Sequence, residues 1–215
     1  MKKIVILISG SGSNMVAIKN AIDNRIINNA EISCVISNEP LAEGIKKAQS
    51  FGLTTHIINH RSFKTRECFD KELVSIIKKM DPDFIILAGF MRILSLVFTS
   101  AFLGKILNIH PSLLPKYPGL HTHEKALENN DKNHGISIHF VNEELDGGPI
   151  IAQGYLEIGD SKDPESLKKR IHQIEHDLYP KIINAVICNA ISYSPKGTIY
   201  HPSCQSYKEK LFYAL

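Results

Sequence analysis

The run Leu107-Asn108-Ile109-His110-Pro111-Ser112-Leu113-Leu114-Pro115 sets a carboxamide two positions from an imidazole. In an extended strand, alternate residues point the same way, so Asn108 and His110 would present an amide donor and a titratable donor together. Such a pair suits a reaction in which negative charge grows on a carbonyl oxygen while a proton is moved. A strand-end histidine bonded only to backbone is the plainer alternative. Pro111, Pro115 and Pro118 weigh against it, because they stiffen the loop that follows.

Downstream, Glu143-Glu144-Leu145-Asp146-Gly147-Gly148-Pro149 is an acidic turn whose glycines permit a close backbone approach. Taken by itself it is a hairpin loop. Folded beside the strand of His110, it would make Asp146 the carboxylate that orients the imidazole and favours its charged form.

Near the amino end, Ile8-Ser9-Gly10-Ser11-Gly12-Ser13-Asn14 follows an apolar run and precedes a helical pattern. Free N–H groups and a positive helix end at such a place receive anions. A single phosphate fits better than a dinucleotide, since Met15 stands where the third glycine of that fingerprint belongs. A tight turn that uses glycine for backbone freedom explains the motif equally well. His172-Gln173-Ile174-Glu175-His176 matches the H-x-x-E-H zinc pattern, but only Glu209 lies well downstream as a third ligand. No metal is therefore expected, and this polar face is read as looking into the anion cleft. His121, His123 and Arg66 join it as cleft candidates, against a background of ordinary surface residues.

These groups need a scaffold that brings loop ends together. Strand-length apolar runs occur at 3–8, 31–37, 54–58, 84–88, 105–109, 135–141 and 150–157, with helical patterns at 13–27, 41–50, 62–79, 94–101, 122–130 and 163–188 between and after them. The alternation predicts an α/β fold: one Rossmann-like, doubly wound domain with a mostly parallel sheet of about seven strands flanked by helices. Open sheets of this kind place their ligand crevice at the carboxyl ends of the strands. In the last helix Asp163 caps, Pro164 takes the first turn, and Leu167, Ile171, Ile174, Leu178, Ile182 and Val186 recur at steps of three and four. The pattern decays after Ser194, so the domain is placed at 1–194 and residues 195–215 are read as an appended tail of uncertain order.

Composition narrows the class. With 215 residues, 43% hydrophobic and 22% charged, the chain is a globular protein rather than a disordered or disulfide-stapled one. A net charge of +3, from 25 basic and 22 acidic residues, gives no footprint for nucleic acid or anionic membrane. The apolar run after Met1-Lys2-Lys3 is too short to span a bilayer and ends in glycines, so the cytoplasm is the expected compartment. Cys34, Cys68, Cys188 and Cys204 have no metal spacing and are read as reduced thiols.

Together, Ile6–Asn14, Ala88-Gly89-Phe90-Met91-Arg92-Ile93-Leu94, Leu107–His123, Glu144–Pro149 and Gln173–His176 resemble the folate-dependent glycinamide ribonucleotide formyltransferases of purine synthesis. The Asn108-to-Pro115 stretch is shared by the wider formyltransferase superfamily, whereas Lys116-Tyr117-Pro118-Gly119-Leu120-His121-Thr122-His123 is similar to the glycinamide branch. The resemblance implies formyl transfer from 10-formyltetrahydrofolate, as co-substrate and without metal, to the amine of 5'-phosphoribosylglycinamide. It implies Asn108, His110 and Asp146 as the catalytic trio, and Gly12, Ser13, Asn14, Glu175 and His172 around the phosphoribosyl substrate. For the folate it implies Arg66, Met91, Arg92, Ile93, Leu94, Asn142, Glu143, Glu144 and Leu145. His172 stands where the resemblance leads one to expect glutamine. The expected partners are these two small molecules, acted on by a monomer or weak homodimer. A nucleotide-binding module that uses only the glycine loop would need no such trio, and a formyl-folate hydrolase would need no amine.

Overall fold

The computed structural model describes residues 1–160 and 162–201, and the backbone of 212–214. Its elements in chain order are β1 (Lys2–Ile8), α1 (Ser13–Asp23), β2 (Ala30–Ser37), α2 (Glu43–Ser50), β3 (Thr55–Ile57), α3 (Arg66–Met80), β4 (Phe84–Leu87) and α4 (Leu96–Ala101). There follow β5 (Ile106–His110), α5 (Thr122–Glu128), β6 (Asn133–Phe140), β7 (Ile150–Glu157), α6 (Pro164–Ile187), β8 (Ile191–Ser194), β9 (Gly197–Tyr200) and β10 (Phe212–Ala214).

The main sheet runs β10-β7-β6-β5-β4-β1-β2-β3. Pairing is parallel from β5 through β4, β1 and β2 to β3, and antiparallel at β5–β6 and β6–β7. Alternation along β1 separates two apolar layers. Ile4, Ile6 and Ile8 pack with Met15 and Ile18 of α1 and Ile174 of α6, while Val5 and Leu7 pack with Phe69, Leu73 and Ile77 of α3. The sheet is thus covered on both faces, and the chain reverses its direction of winding between β1 and β4. That reversal opens the crevice at the ends of these two strands. Tyr179 of α6, fully buried, reaches the carbonyls of Leu87 and Leu107 at 3.0 and 3.1 Å and ties the long helix to β4 and β5 beneath the crevice.

The strand expectations fall on β1 to β7, and the helices shift at their ends. α3 starts at Arg66 rather than at residue 62, because residues 60–62 form a separate 3-10 turn and Thr65 Oγ1 caps by accepting the N–H of Cys68 at 3.2 Å. The boundary drawn at residue 194 falls inside the β8–β9 hairpin. Thr198 and Tyr200, on the tail side of that boundary, donate side-chain hydrogen bonds to the carbonyls of Ile150 and Ile151 at 2.9 and 2.6 Å. β10 adds an eighth strand alongside β7. Cys34, Cys68 and Cys188 are free thiols; Cys204 and Glu209 lie outside the described residues.

Candidate active site

A cleft of about 830 Å³ opens over the carboxyl ends of β1, β4 and β5, and its wall includes residues of every motif singled out above. At its floor, β1 passes into α1 through Gly12, whose φ of 71° is left-handed. A side chain there would also meet the Cα of Gly44 at 2.7 Å, so glycine is required twice over. α1 begins with no side-chain cap and no acidic residue in its first turn, which leaves its N–H groups open to an anion. Asn14 and Glu175 are both buried, and the Asn14 amide donates to the Glu175 carboxyl at 2.8 Å. Burial pushes the Glu175 carboxyl up to about 7, against the opposing hydrogen bond from Asn14. Asn14 Oδ1 has no partner among the described residues and is a buried acceptor beside the glycine loop.

Asn108, His110 and Asp146, whose meeting the sequence left conditional on the acidic turn folding beside β5, come together in the cleft. His110 closes β5 with Nε2 at 2.8 Å from the carbonyl of Tyr117. A carbonyl can only accept, so Nε2 carries hydrogen. Nδ1 then faces Asp146 Oδ2 at 3.4 Å. Asp146 adopts a left-handed φ of 52° and accepts the N–H of Gly119 at 2.9 Å, which couples the acidic turn to the proline-rich loop. That loop is braced by Ser112 Oγ donating to the Lys116 carbonyl at 2.6 Å, and by Lys116 Nζ and Tyr117 OH on Asp131, each at 2.8 Å.

His139 escaped the sequence reading. β6 runs antiparallel to β5 and sets His139 directly opposite Asn108. Its Nδ1 donates to the Phe140 carbonyl at 2.9 Å, and burial holds the ring below the usual imidazole range and hence neutral. The bare Nε2 accepts from Asn108 Nδ2 at 3.1 Å. Asn108 therefore turns its amide nitrogen, not its oxygen, toward Asp146, whose Oδ1 lies at 3.5 Å. A histidine between Ile138 and Phe140 near the end of the strand was the signal available, and its partner across the ladder depends on register.

Most of the remaining candidates line the same cleft: Met91 to Leu94, Asn142 to Leu145, His121, His123 and His172. Met91, Ile93 and Leu145 stand at least half exposed and form an apolar wall. Arg92 lies over the Phe69 ring at 4.9 Å. Arg66 does not line the cleft; it is exposed on the first turn of α3, 3.6 Å from Glu67. His172 and His176 stack at 5.8 Å while Glu175 turns to Asn14, so the H-x-x-E-H residues do not converge as ligands. No group of three or more His, Cys, Asp or Glu side chains among the described residues is disposed to hold a metal ion.

Residues 2–183 match the formyl transferase family model. The chain belongs to the formyl transferase family. It is 49% identical over 183 residues to the phosphoribosylglycinamide formyltransferase of Escherichia coli (strain K12), a match covering 84% of this chain and 85% of that protein. It is 41% identical over 196 residues to the trifunctional purine biosynthetic protein adenosine-3 of Drosophila melanogaster, of which the match covers 14%. The structure of phosphoribosylglycinamide formyltransferase from Coxiella burnetii superposes with a TM-score of 0.88 at 44% identity, covering 93% of each chain. In this formyl transferase the cleft, the Asn108 and His110 side chains and the uncapped end of α1 lie on the segment that the family match covers.

Proposed function

We propose that this formyl transferase moves the formyl group of 10-formyltetrahydrofolate to the amine of 5'-phosphoribosylglycinamide, a step of purine synthesis. The observation that carries the reading is the position of the Asn108, His110 and Asp146 side chains, between an anion-ready helix end and an apolar wall in one cleft. The phosphate sits at Gly12, Ser13 and Asn14, with Glu175 and His172 beside the ribosyl and amine parts. The folate lies against Met91 to Leu94 and Asn142 to Leu145; Arg66 can serve it only from the rim.

The neutral amine attacks the formyl carbon. Oxyanion charge is met by the Asn108 Nδ2 hydrogen that leaves its long 3.5 Å contact to Asp146, the other staying on His139, and by His110, whose Nε2–H is committed to Tyr117 so that Nδ1 is the nitrogen free to exchange a proton. Asp146 takes the proton released by the attacking nitrogen, directly or through water. A proton returns to the folate nitrogen as its bond to the formyl carbon breaks. Holding both substrates in line supplies the proximity contribution, and no covalent enzyme intermediate is needed.

On this reading residues 1–194 are the transferring unit, a division supported by a family match that ends at residue 183. It works on two small molecules as a monomer or weak homodimer in the cytoplasm. No described helix is long and apolar enough to cross a membrane. The direct assay follows folate product spectroscopically with and without phosphoribosylglycinamide, in buffer containing EDTA. Product only when the amine is present supports transfer. Equal product without it indicates a hydrolase, and rescue by zinc after chelation contradicts the metal-free mechanism.

A further inference from the structure

Residues 88–95 carry the apolar wall but contain no regular secondary structure. The main chain of the wall is suspended between two side-chain acceptors. Ser95 N donates to Asp70 Oδ2 at 2.6 Å, and Met91 N donates to Ser9 Oγ at 2.7 Å. Ser9 also donates its own N–H to the Gly89 carbonyl at 3.0 Å, so it grips the segment on both sides of Phe90.

The Ser9 hydroxyl has one hydrogen. Since Oγ accepts from Met91, that hydrogen goes to Asn38 Oδ1, which lies within bonding distance. Asn38 is 2% exposed and directly follows β2. With its oxygen engaged by Ser9, its amide nitrogen faces His60 Nδ1 at 3.2 Å, and the same ring nitrogen stands 3.1 Å from the main-chain carbonyl of Asn38. His60 holds Asn38 in either protonation state. Without hydrogen, Nδ1 accepts from the amide; with hydrogen, it donates to the carbonyl. The ring has Glu39 Oε1 at 3.5 Å, and Arg61 clamps that carboxylate through two nitrogens at 2.8 and 3.1 Å.

We propose that Asn38 and His60 are positioning residues for the folate: acting through Ser9, they fix the main chain of Met91 and with it the wall Met91–Leu94. The inference rests on the reading above that this wall faces the folate. Neither residue touches the reacting atoms. Each link of the chain polarises the next, so cutting it at Asn38 loosens a wall two residues removed from the cut.

The test combines steady-state kinetics with amide hydrogen exchange of the 88–95 segment in Asn38→Ala, His60→Ala and the conservative His60→Gln. Asn38→Ala and His60→Ala should raise KM for 10-formyltetrahydrofolate about tenfold, the scale of one lost net hydrogen bond, and speed exchange at Met91. kcat and KM for the phosphorylated amine should stay near their original values, and His60→Gln should restore most of the folate KM. Unchanged exchange at Met91 in both alanine variants overturns the proposal, as does a parallel shift of all three constants. Faster exchange with an unaltered folate KM contradicts the folate placement itself.

Discussion

The carboxylate of Asp146 stands 3.4 Å from Nδ1 of His110 and is oriented there by the main-chain N–H of Gly119 at 2.9 Å. Gly119 has a φ of 78°, and a side-chain carbon there would meet only Leu145 Cδ2 at 4.0 Å, an ordinary contact, so an alanine meets strain rather than a clash. Left-handed backbone costs a non-glycine residue roughly 1–2 kcal/mol. Relief of that strain would swing the N–H off Asp146. Gly119→Ala should therefore lower kcat by about tenfold, the equivalent of about 1.4 kcal/mol, with little change in either KM. Steady-state kinetics would show it. A raised KM with normal kcat would mean that the loop serves binding instead.

The open end of α1 allows binding and stability to be separated. Ser13→Asp places a carboxylate in a first turn that has none. In the ligand-free protein this should stabilise the helix by about 0.3–1 kcal/mol through the helix dipole. The same charge occupies the place of the phosphate, so calorimetry should find weaker binding of phosphoribosylglycinamide and unchanged binding of the folate. Equal weakening of both ligands would contradict the placement.

Glu175 predicts a pH dependence of stability. Its folded value is raised from 4.5 to about 7 by burial, so the folded state holds a proton that the unfolded chain has released. The cost of burying Glu175 is absent below pH 4.5, grows as pH rises from there, and levels off above pH 7. At about 1.4 kcal/mol per pH unit, the full span is on the order of 3 kcal/mol. Glu175→Gln should remove this slope, which denaturant titrations at several pH values between these limits would detect. A variant whose stability tracks the parent across that range would show that the carboxyl is not proton-bearing in the fold.

Local pattern carried much of this architecture. Period-two apolar runs and their alternation with helical stretches locate β1 to β7, and Asn108 and His110 follow from strand geometry alone. The meeting of Asp146 with His110 was conditional in the sequence, since it requires two loops 27 residues apart to close through Gly119. His139 and the Ser9–Asn38–His60 chain were not legible. Their roles depend on strand register and on β1 lying between β2 and β4, which no local spacing encodes. Arg66 illustrates the opposite case: a basic residue near the right helix, with Arg92 rather than Arg66 in the cleft wall. The tail's periodicity decays because short hairpin strands such as β8 and β9 have too few residues to display one.

The central claim is that His110 and Asp146 act on the transition state as one unit, and the most direct measurement is the kcat of Asp146→Asn, His110→Asn and the double variant. Asn at 146 keeps shape and some hydrogen bonding but removes the charge facing Nδ1 and the acceptor for the amine proton. Loss of one such contribution typically costs about 100- to 1000-fold in rate. Both single variants should fall by that order with ground-state binding little changed, and the double variant should be little worse than either, because groups that work together are not additive. Losses that multiply in the double variant, or near-normal kcat in Asp146→Asn, would contradict the account.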